Sequence, residues 1–358
     1  MSNFGTAVQW ARARPVALVG VLLIAALPAL VWALPERNDR RLSQVRTWTY
    51  QLQNLGPSLA GLGASPSDML VIDHAVSTDS GMKPLSREQV GQLKQRPDGG
   101  RRLVIAYLSI GEAEEYRSYW RKGWAEAPPE WLLSENCRWP KNHLVAFWHE
   151  GWREIIFDGA QSYLARIQNA GFDGIYLDRV DVYSDIAQRF PQARDSMISF
   201  VADLAAAARA RSPGFLIIAQ NAEELLDSAR YRRTIDAVAK EDLLYGLAGT
   251  GSRNDSASVG ASKTLLDRLK AEGKPIFAVE YLTEPAKIDS AASELAGFGY
   301  RPVFPTRALD GANPMEKSES GASEQGSSES SGENYGTPEY ALRNCDGVWP
   351  KSTRHTQQ

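Results

Sequence analysis

Cysteine is almost absent from this chain. Cys137 and Cys345 are the only two in 358 residues, and no CxxC pair occurs. A thiolate-bound structural zinc site is therefore not indicated. Histidine is nearly as scarce, with His74, His143, His149 and His355 showing no HExxH spacing, which removes hydrolytic zinc chemistry of that type. No GxSxG elbow is present, which argues against a serine esterase. No GxxxxGK[ST] loop occurs either; Gly260-Ala261-Ser262-Lys263 lacks the glycine before the lysine. No GxGxxG opens a βα unit, so a dinucleotide cofactor is not indicated. No cofactor and no metal are expected. There is no basic excess: 40 Lys+Arg face 43 Asp+Glu, a net charge of −3. A generic polyanion binder needs many uncompensated cations, so nucleic acid is not an expected partner.

What is present begins with an export signal. Arg12 and Arg14 flank an uncharged run over residues 16–33, after which Pro35, Glu36 and a charged stretch follow. The run exceeds a signal core of ~7–15 residues and just reaches the ~18 needed to span a membrane. It reads as a cleaved signal peptide or an uncleaved anchor in residues 1–33. Either delivers the rest to the periplasm or the extracellular space, with the inner membrane touched only through residues 16–33. At the other end, residues 311–334 hold seven Ser, five Glu and four Gly and no aromatic. Such a segment buries too little apolar surface to offset its ordering entropy and is expected to be a disordered linker. Residues 335–358 form a short tail with Tyr340, Cys345 and Trp349. In an exported protein Cys137 and Cys345 could form one disulfide tying this tail to the body; two unpaired thiols are the alternative.

Between the ends, residues 42–310 alternate short apolar runs with amphipathic stretches. Eight strands are expected, over residues 69–74, 103–109, 145–148, 174–178, 215–220, 237–241, 276–281 and 302–306. Most are continuously apolar, as parallel strands covered on both faces are. Ser86 with Gln89 makes a capping box before a short helix. Residues 152–170 read as one helix closed by Gly171. Residues 195–211 read as another, and Leu265, Leu266 and Leu269 line a third ended by Gly273 and Pro275. Eight βα units in this length suggest a single (β/α)8 barrel rather than an open doubly wound sheet. A monomer is expected.

In such barrels the functional groups gather at the C-terminal strand ends. Acids fall there repeatedly: Asp73, Glu112, Asp178 with Asp181, Glu241 with Asp242, and Glu280. Singly, each could cap a helix or anchor a loop. Together in one mouth they raise one another's pKa and cost stability, which is the mark of a working site. Paired carboxylates without metal or cofactor fit glycoside hydrolysis, in which one protonates the leaving oxygen and the other attacks carbon or activates water. Six of the ten tryptophans lie within residues 120–152. They could stack on sugars or pack beneath a long loop.

Four ordered segments resemble glycoside hydrolase family 114, the endo-α-1,4-polygalactosaminidase-like TIM barrels. They are residues 104–120 (VIAYLSIGEAEEYRSYW), 171–183 (GFDGIYLDRVDVY), 217–225 (IIAQNAEEL) and 239–245 (AKEDLLY). The resemblance spans nearly the whole barrel. It implies a retaining endo-hydrolase of α-1,4-linked galactosamine-rich polysaccharide, with Asp178 as nucleophile and Glu241 as acid/base. Glu280 competes for the second role. Glu112 is expected to bind substrate, and Asp73, Tyr107, Asn221 and Tyr281 are further candidates for the sugar site. A deacetylated galactosamine is cationic near neutral pH, which suits an acidic mouth. The alternative is a non-catalytic polysaccharide-binding barrel of the cell envelope.

Overall fold

The computed structural model describes residues 1, 40–56, 59–78 and 81–312. The expected signal segment (residues 16–33), the Ser/Glu-rich linker beyond residue 312 and Cys345 lie outside the described residues. Among the described residues no helix is long and apolar enough to cross a membrane.

Eight parallel strands form one sheet in sequence order: β1 (Trp48–Gln51), β2 (Met69–Ile72), β3 (Leu103–Ser109), β4 (Gly174–Asp178), β5 (Leu216–Gln220), β6 (Ala237–Glu241), β7 (Ile276–Val279) and β8 (Arg301–Val303). Across the seam, the Trp48 indole N–H donates to the Arg301 carbonyl at 3.0 Å. The Leu52 and Gln53 amides donate to the Leu309 carbonyl at 2.8 and 2.9 Å. The sheet thereby curls into a nearly closed barrel, and the flanking helices complete the (β/α)8 architecture. These include α1 (Arg87–Leu93), α2 (Tyr163–Ala170), α3 (Ala193–Arg211), α4 (Ala229–Thr234), α5 (Ser256–Ala271) and α6 (Pro285–Gly297).

Two layers of apolar side chains explain why the strands are hydrophobic throughout. Alternate residues face the interior: Trp48 and Tyr50, Met69 and Val71, Ile105 and Tyr107, Tyr176, Leu216 and Ile218, Ala237 and Ala239, Phe277 and Val279. Their neighbours in each strand, such as Leu70, Val104, Ile175, Ile217 and Val238, pack under the helices in a separate cluster. The two-residue period of a strand therefore carries an apolar side chain at both phases.

The structure corrects two strand expectations. The run at residues 145–148 is not a barrel strand. Residue 145 ends Asn142–Val145, which pairs antiparallel with Glu112–Glu114 and Leu132–Glu135 in a small sheet between β3 and β4. The missed barrel strand is β1, four residues long, whose Thr49 and Gln51 dilute its hydrophobic signal. The errors cancel in the count, so Asp178 still ends the fourth strand and Glu241 the sixth, while Asp73 follows the second and Tyr107 lies on the third.

The helix expected over residues 152–170 is three pieces: Glu150–Arg153, a π-helical turn Glu154–Asp158, and α2. Gly159 breaks it, because a side chain there would collide with the Glu154 carbonyl. Ser162 then caps α2 by accepting from the Ala165 amide at 3.2 Å. The Ser86–Gln89 capping box is present in both directions.

Candidate active site

The interior phase of β4 runs from Tyr176 to Asp178, and that of β6 through Ala237 and Ala239 to Glu241. Strand periodicity thus places two carboxylates at the top of the barrel. Asp178 Oδ2 accepts from the Tyr107 hydroxyl at 2.6 Å, and Oδ1 from the Arg179 amide at 2.7 Å. Arg179 has φ of 58°, a left-handed turn immediately after the strand. The turn fits because Gly111 lies against it: a Cβ on Gly111 would stand 2.2 Å from the Arg179 carbonyl oxygen.

Glu241 accepts from the side-chain amides of Gln220 and Asn221, the latter at 3.2 Å, and from the Tyr281 hydroxyl. The Asn221 side-chain Oδ1 accepts from the Glu241 backbone amide at 3.0 Å, clamping the residue from the end of β5. Burial raises the Glu241 carboxyl to about 7, the charge of Asp178 adds to that rise, and the Tyr281 and Asn221 donors oppose it. Burial raises Asp178 as well, while the Tyr107 hydrogen bond and the Arg179 charge oppose the rise. Neither carboxylate takes part in an ion pair among the described residues. Beneath them sits Tyr176, whose buried hydroxyl has no hydrogen-bond partner. Tyr50 stands 5.1 Å away, ring to ring, and its hydroxyl donates to the Gln220 side-chain Oε1 at 3.3 Å.

The other acids at the mouth are engaged by arginines or by backbone amides. Asp73 is 4% exposed and sits between Arg117 (2.6 Å), His74 (3.0 Å) and the Ala75 amide (3.0 Å). Burial would raise Asp73, but the Arg117 charge and the His74 contact hold it below the usual carboxylate value. Arg117 also pairs with Glu114 at 2.5 Å. Glu112 Oε1 accepts from Arg179 Nε and Asn136 Nδ2, both at 2.7 Å. Burial raises the Glu112 carboxyl against that Arg179 charge. The same guanidinium reaches Asp181 at 3.2 Å and Asp185 at 2.5 Å. Arg307 binds Asp242 at 2.9 Å. Glu280 is completely buried and braces a loop, accepting from the Leu244 amide at 2.7 Å and the Tyr245 amide at 3.1 Å. Burial lifts it to about 7 against those two donors.

The expected site residues therefore fall into two groups. Asp178 with Tyr107, and Glu241 with Asn221 and Tyr281, form two hydrogen-bonded sets whose carboxylates feel each other's charge. Asp73, Glu112 and Glu280 are engaged elsewhere, by Arg117, by Arg179 and by backbone amides. Sequence reasoning missed Tyr50, Tyr176, Arg117 and Arg307. For the two tyrosines the usable signal was their interior strand phase; for the arginines there was none.

The tryptophan cluster is mostly packing. Trp120, Trp124, Trp131 and Trp152 form a chain of rings with centroids 5.0–5.3 Å apart. Trp152 is fully buried and donates to the Ile110 carbonyl at 2.9 Å. Of the six, Trp139 is the large hydrophobic that stands exposed, at 37%, and Tyr116 on the same excursion is 45% exposed.

Relatives of this chain share the body of the barrel. An uncharacterized protein of Deinococcus radiodurans is 36% identical over 287 residues, covering 79% of this chain and 87% of its own. One of Thermotoga maritima is 37% identical over 244 residues, covering 66% and 71%. Among solved structures, the glycoside hydrolase domain of PelA from Pseudomonas aeruginosa superposes with a TM-score of 0.56 at 24% identity. That match covers 74% of this chain and 96% of the PelA domain and shows a shared fold. The sequence pattern of glycoside hydrolase family GH114 matches residues 29–321. A match over most of the chain, on a barrel of the matching fold, makes this protein a member of family GH114 and a glycoside hydrolase.

Proposed function

We propose that the enzyme cleaves α-1,4-linked galactosamine-rich polysaccharide by a retaining, two-carboxylate mechanism. The observation that carries this reading is the pair Asp178 and Glu241. They lie partly exposed at one end of the barrel, each held by hydrogen-bond donors, and Asp178 helps raise Glu241 to about 7. Near neutral pH this leaves Glu241 partly protonated, as an acid that must later act as a base requires.

In the first step Glu241 gives its proton to the glycosidic oxygen as the C1–O bond breaks. An Asp178 carboxylate oxygen attacks C1, and the released chain end leaves as an alcohol. In the second step the Glu241 carboxylate takes a proton from water while the water oxygen attacks C1. The ester bond to Asp178 breaks, and both residues return to their starting states. Tyr107 and the Arg179 amide orient Asp178; Gln220, Asn221 and Tyr281 orient Glu241.

A cationic sugar suits this site through two carboxylates in particular. Most mouth acids are offset by Arg117, Arg179 and Arg307, so Asp178 and Glu241 supply the negative field a galactosamine ammonium would meet. We further propose export through residues 1–33, a monomeric enzyme, and a Cys137–Cys345 disulfide in the mature chain.

The test is ¹H NMR of the first product formed from partially deacetylated α-1,4-polygalactosamine. Retention predicts the α-anomer first. A β-anomer first means inversion and removes the nucleophile role from Asp178. Equal turnover of a neutral galactan removes the cationic-substrate argument.

A further inference from the structure

Arg307 lies beyond β8, in the last described segment of the chain, and has no part in the reaction as set out above. Its guanidinium carbon stands 4.2 Å from the centroid of the Tyr281 ring. One of its terminal nitrogens binds both Asp242 oxygens, at 2.9 and 3.2 Å. The Tyr281 hydroxyl donates to Glu241 Oε1. The chain of contacts is therefore Asp242, Arg307, the Tyr281 ring, the Tyr281 hydroxyl and Glu241. The other carboxylate repeats the plan more loosely. Asp73 holds Arg117, whose guanidinium stands 5.8 Å from the Tyr107 ring, and the Tyr107 hydroxyl donates to Asp178.

From this stacking we infer that Arg307 is a positioning residue that acts through Tyr281 to favour the ionised form of Glu241. The inference rests on the reading of Glu241 as acid/base and deepens it. A cation on the face of a phenol ring draws charge from it and strengthens the hydroxyl as a donor. A stronger donor stabilises the carboxylate it serves. Burial and the neighbouring Asp178 push Glu241 the other way. Arg307 thus helps keep the residue close to the midpoint that both of its steps need. Asp242 fixes the guanidinium in place, and its own conformation is also built: φ is 50°, and a Cβ on Gly246 would lie 2.4 Å from its carboxylate.

Several other groups face Glu241. Asp178 and Tyr176 come from β4, Tyr50 from β1, Tyr281 from beyond β7, and Asp242 from the next position in the chain. Gln220 and Asn221 are neutral donors from β5 and its end. Arg307 is the cation in this set, and its charge and that of Glu241 interact.

The experiment is a carboxyl ¹³C NMR titration of Glu241 in the unliganded enzyme, assigned with E241Q. R307Q and R307M remove the charge through different side chains, so a folding defect in one leaves the other to carry the test. Both should move the Glu241 midpoint upward by about half a pH unit or more, the scale of a desolvated cation–π contact. R307K, which keeps the charge, should fall between them and the wild type. In a Y281F background the effect of R307Q should shrink, because the hydroxyl that transmits it is gone. The inference is overturned if the charge-removing variants that fold titrate as the wild type does, or if R307Q shifts Glu241 equally with and without the Tyr281 hydroxyl. The titration needs no substrate. Failure of the acid/base reading of Glu241 would show separately, as full activity in E241Q.

Discussion

Glu241 carries opposed demands in one carboxyl group. Three donors favour its charged form, while burial and a nearby aspartate favour the neutral form, and the second set prevails. A group whose folded pKa is raised binds a proton more tightly folded than unfolded, so its contribution to stability is lost as pH rises through the folded value. The window here runs from the ordinary 4.5 to about 7. Wild-type stability should therefore fall across that window. E241Q should be more stable than wild type at pH 8 by roughly 1–2 kcal/mol, less than the full linkage value because the glutamine amide faces donors it cannot satisfy. Urea unfolding at pH 5 and pH 8 checks this; equal wild-type and E241Q stability at both pH values would contradict it. Asp73 has the opposite sign. Held low by Arg117, it contributes stability above its ordinary pKa that is lost as pH falls, and D73N should remove that acid sensitivity while leaving Arg117 underpaired. The two carboxylates proposed for the chemistry, Asp178 and Glu241, were legible in sequence because each closes a strand run. Arg117 and Arg307 were not, since a loop arginine becomes meaningful only when chain closure sets it on a tyrosine ring.

Elements show where local pattern reading holds and where it fails. β3, β4 and β6 were placed to the residue, and most other strands to within a few positions, because an apolar run flanked by breakers defines them. The run Val145–Trp148 has the same composition as a barrel strand. It belongs to the excursion between β3 and β4, where the small antiparallel sheet claims residue 145 and the Trp131–Trp152 stack claims the space beside it. β1 escaped notice because four residues with alternating Thr and Gln carry little hydrophobic signal; its place is set by pairing with Met69–Ile72. At the β3–β4 join, Gly111 is a sharp test. Gly111→Ala forces a methyl into the Arg179 carbonyl and the Val182 side chain, and overpacking of this kind costs typically about 1–3 kcal/mol. The variant should melt several degrees lower and lose activity disproportionately, because the Arg179 amide that holds Asp178 must shift. A melting temperature and kcat within error of wild type would contradict the packing described.

On the scale of the whole molecule, the barrel depends on a seam that few strand–strand hydrogen bonds close. The Trp48 indole, the Leu309 carbonyl and Arg301, which donates to the Leu42 and Ser43 carbonyls at 3.1 and 3.0 Å, span it. Trp48→Phe keeps most of the apolar surface and removes the indole donor. It should cost roughly 1–2 kcal/mol in urea unfolding, the scale of one part-buried hydrogen bond; a change below about 0.3 kcal/mol would show the seam does not need it. The seam was invisible to pattern reading because both of its strands are short. The expected Cys137–Cys345 pair is checked by peptide mapping of the mature protein without reductant. The linked peptide is the predicted result, and two alkylated thiols the contrary one.

The central question about this barrel is whether Asp178 and Glu241 perform the hydrolysis. The direct measurement is kcat/KM on partially deacetylated α-1,4-polygalactosamine for wild type, D178N and E241Q, with folding verified by circular dichroism. Loss of a nucleophile or of a proton donor typically costs at least ~10²–10⁴ in rate, so both variants should fall by about a thousandfold or more. Wild-type activity that persists undiminished in D178N would contradict the assignment. So would a wild type that binds this polysaccharide without cleaving it.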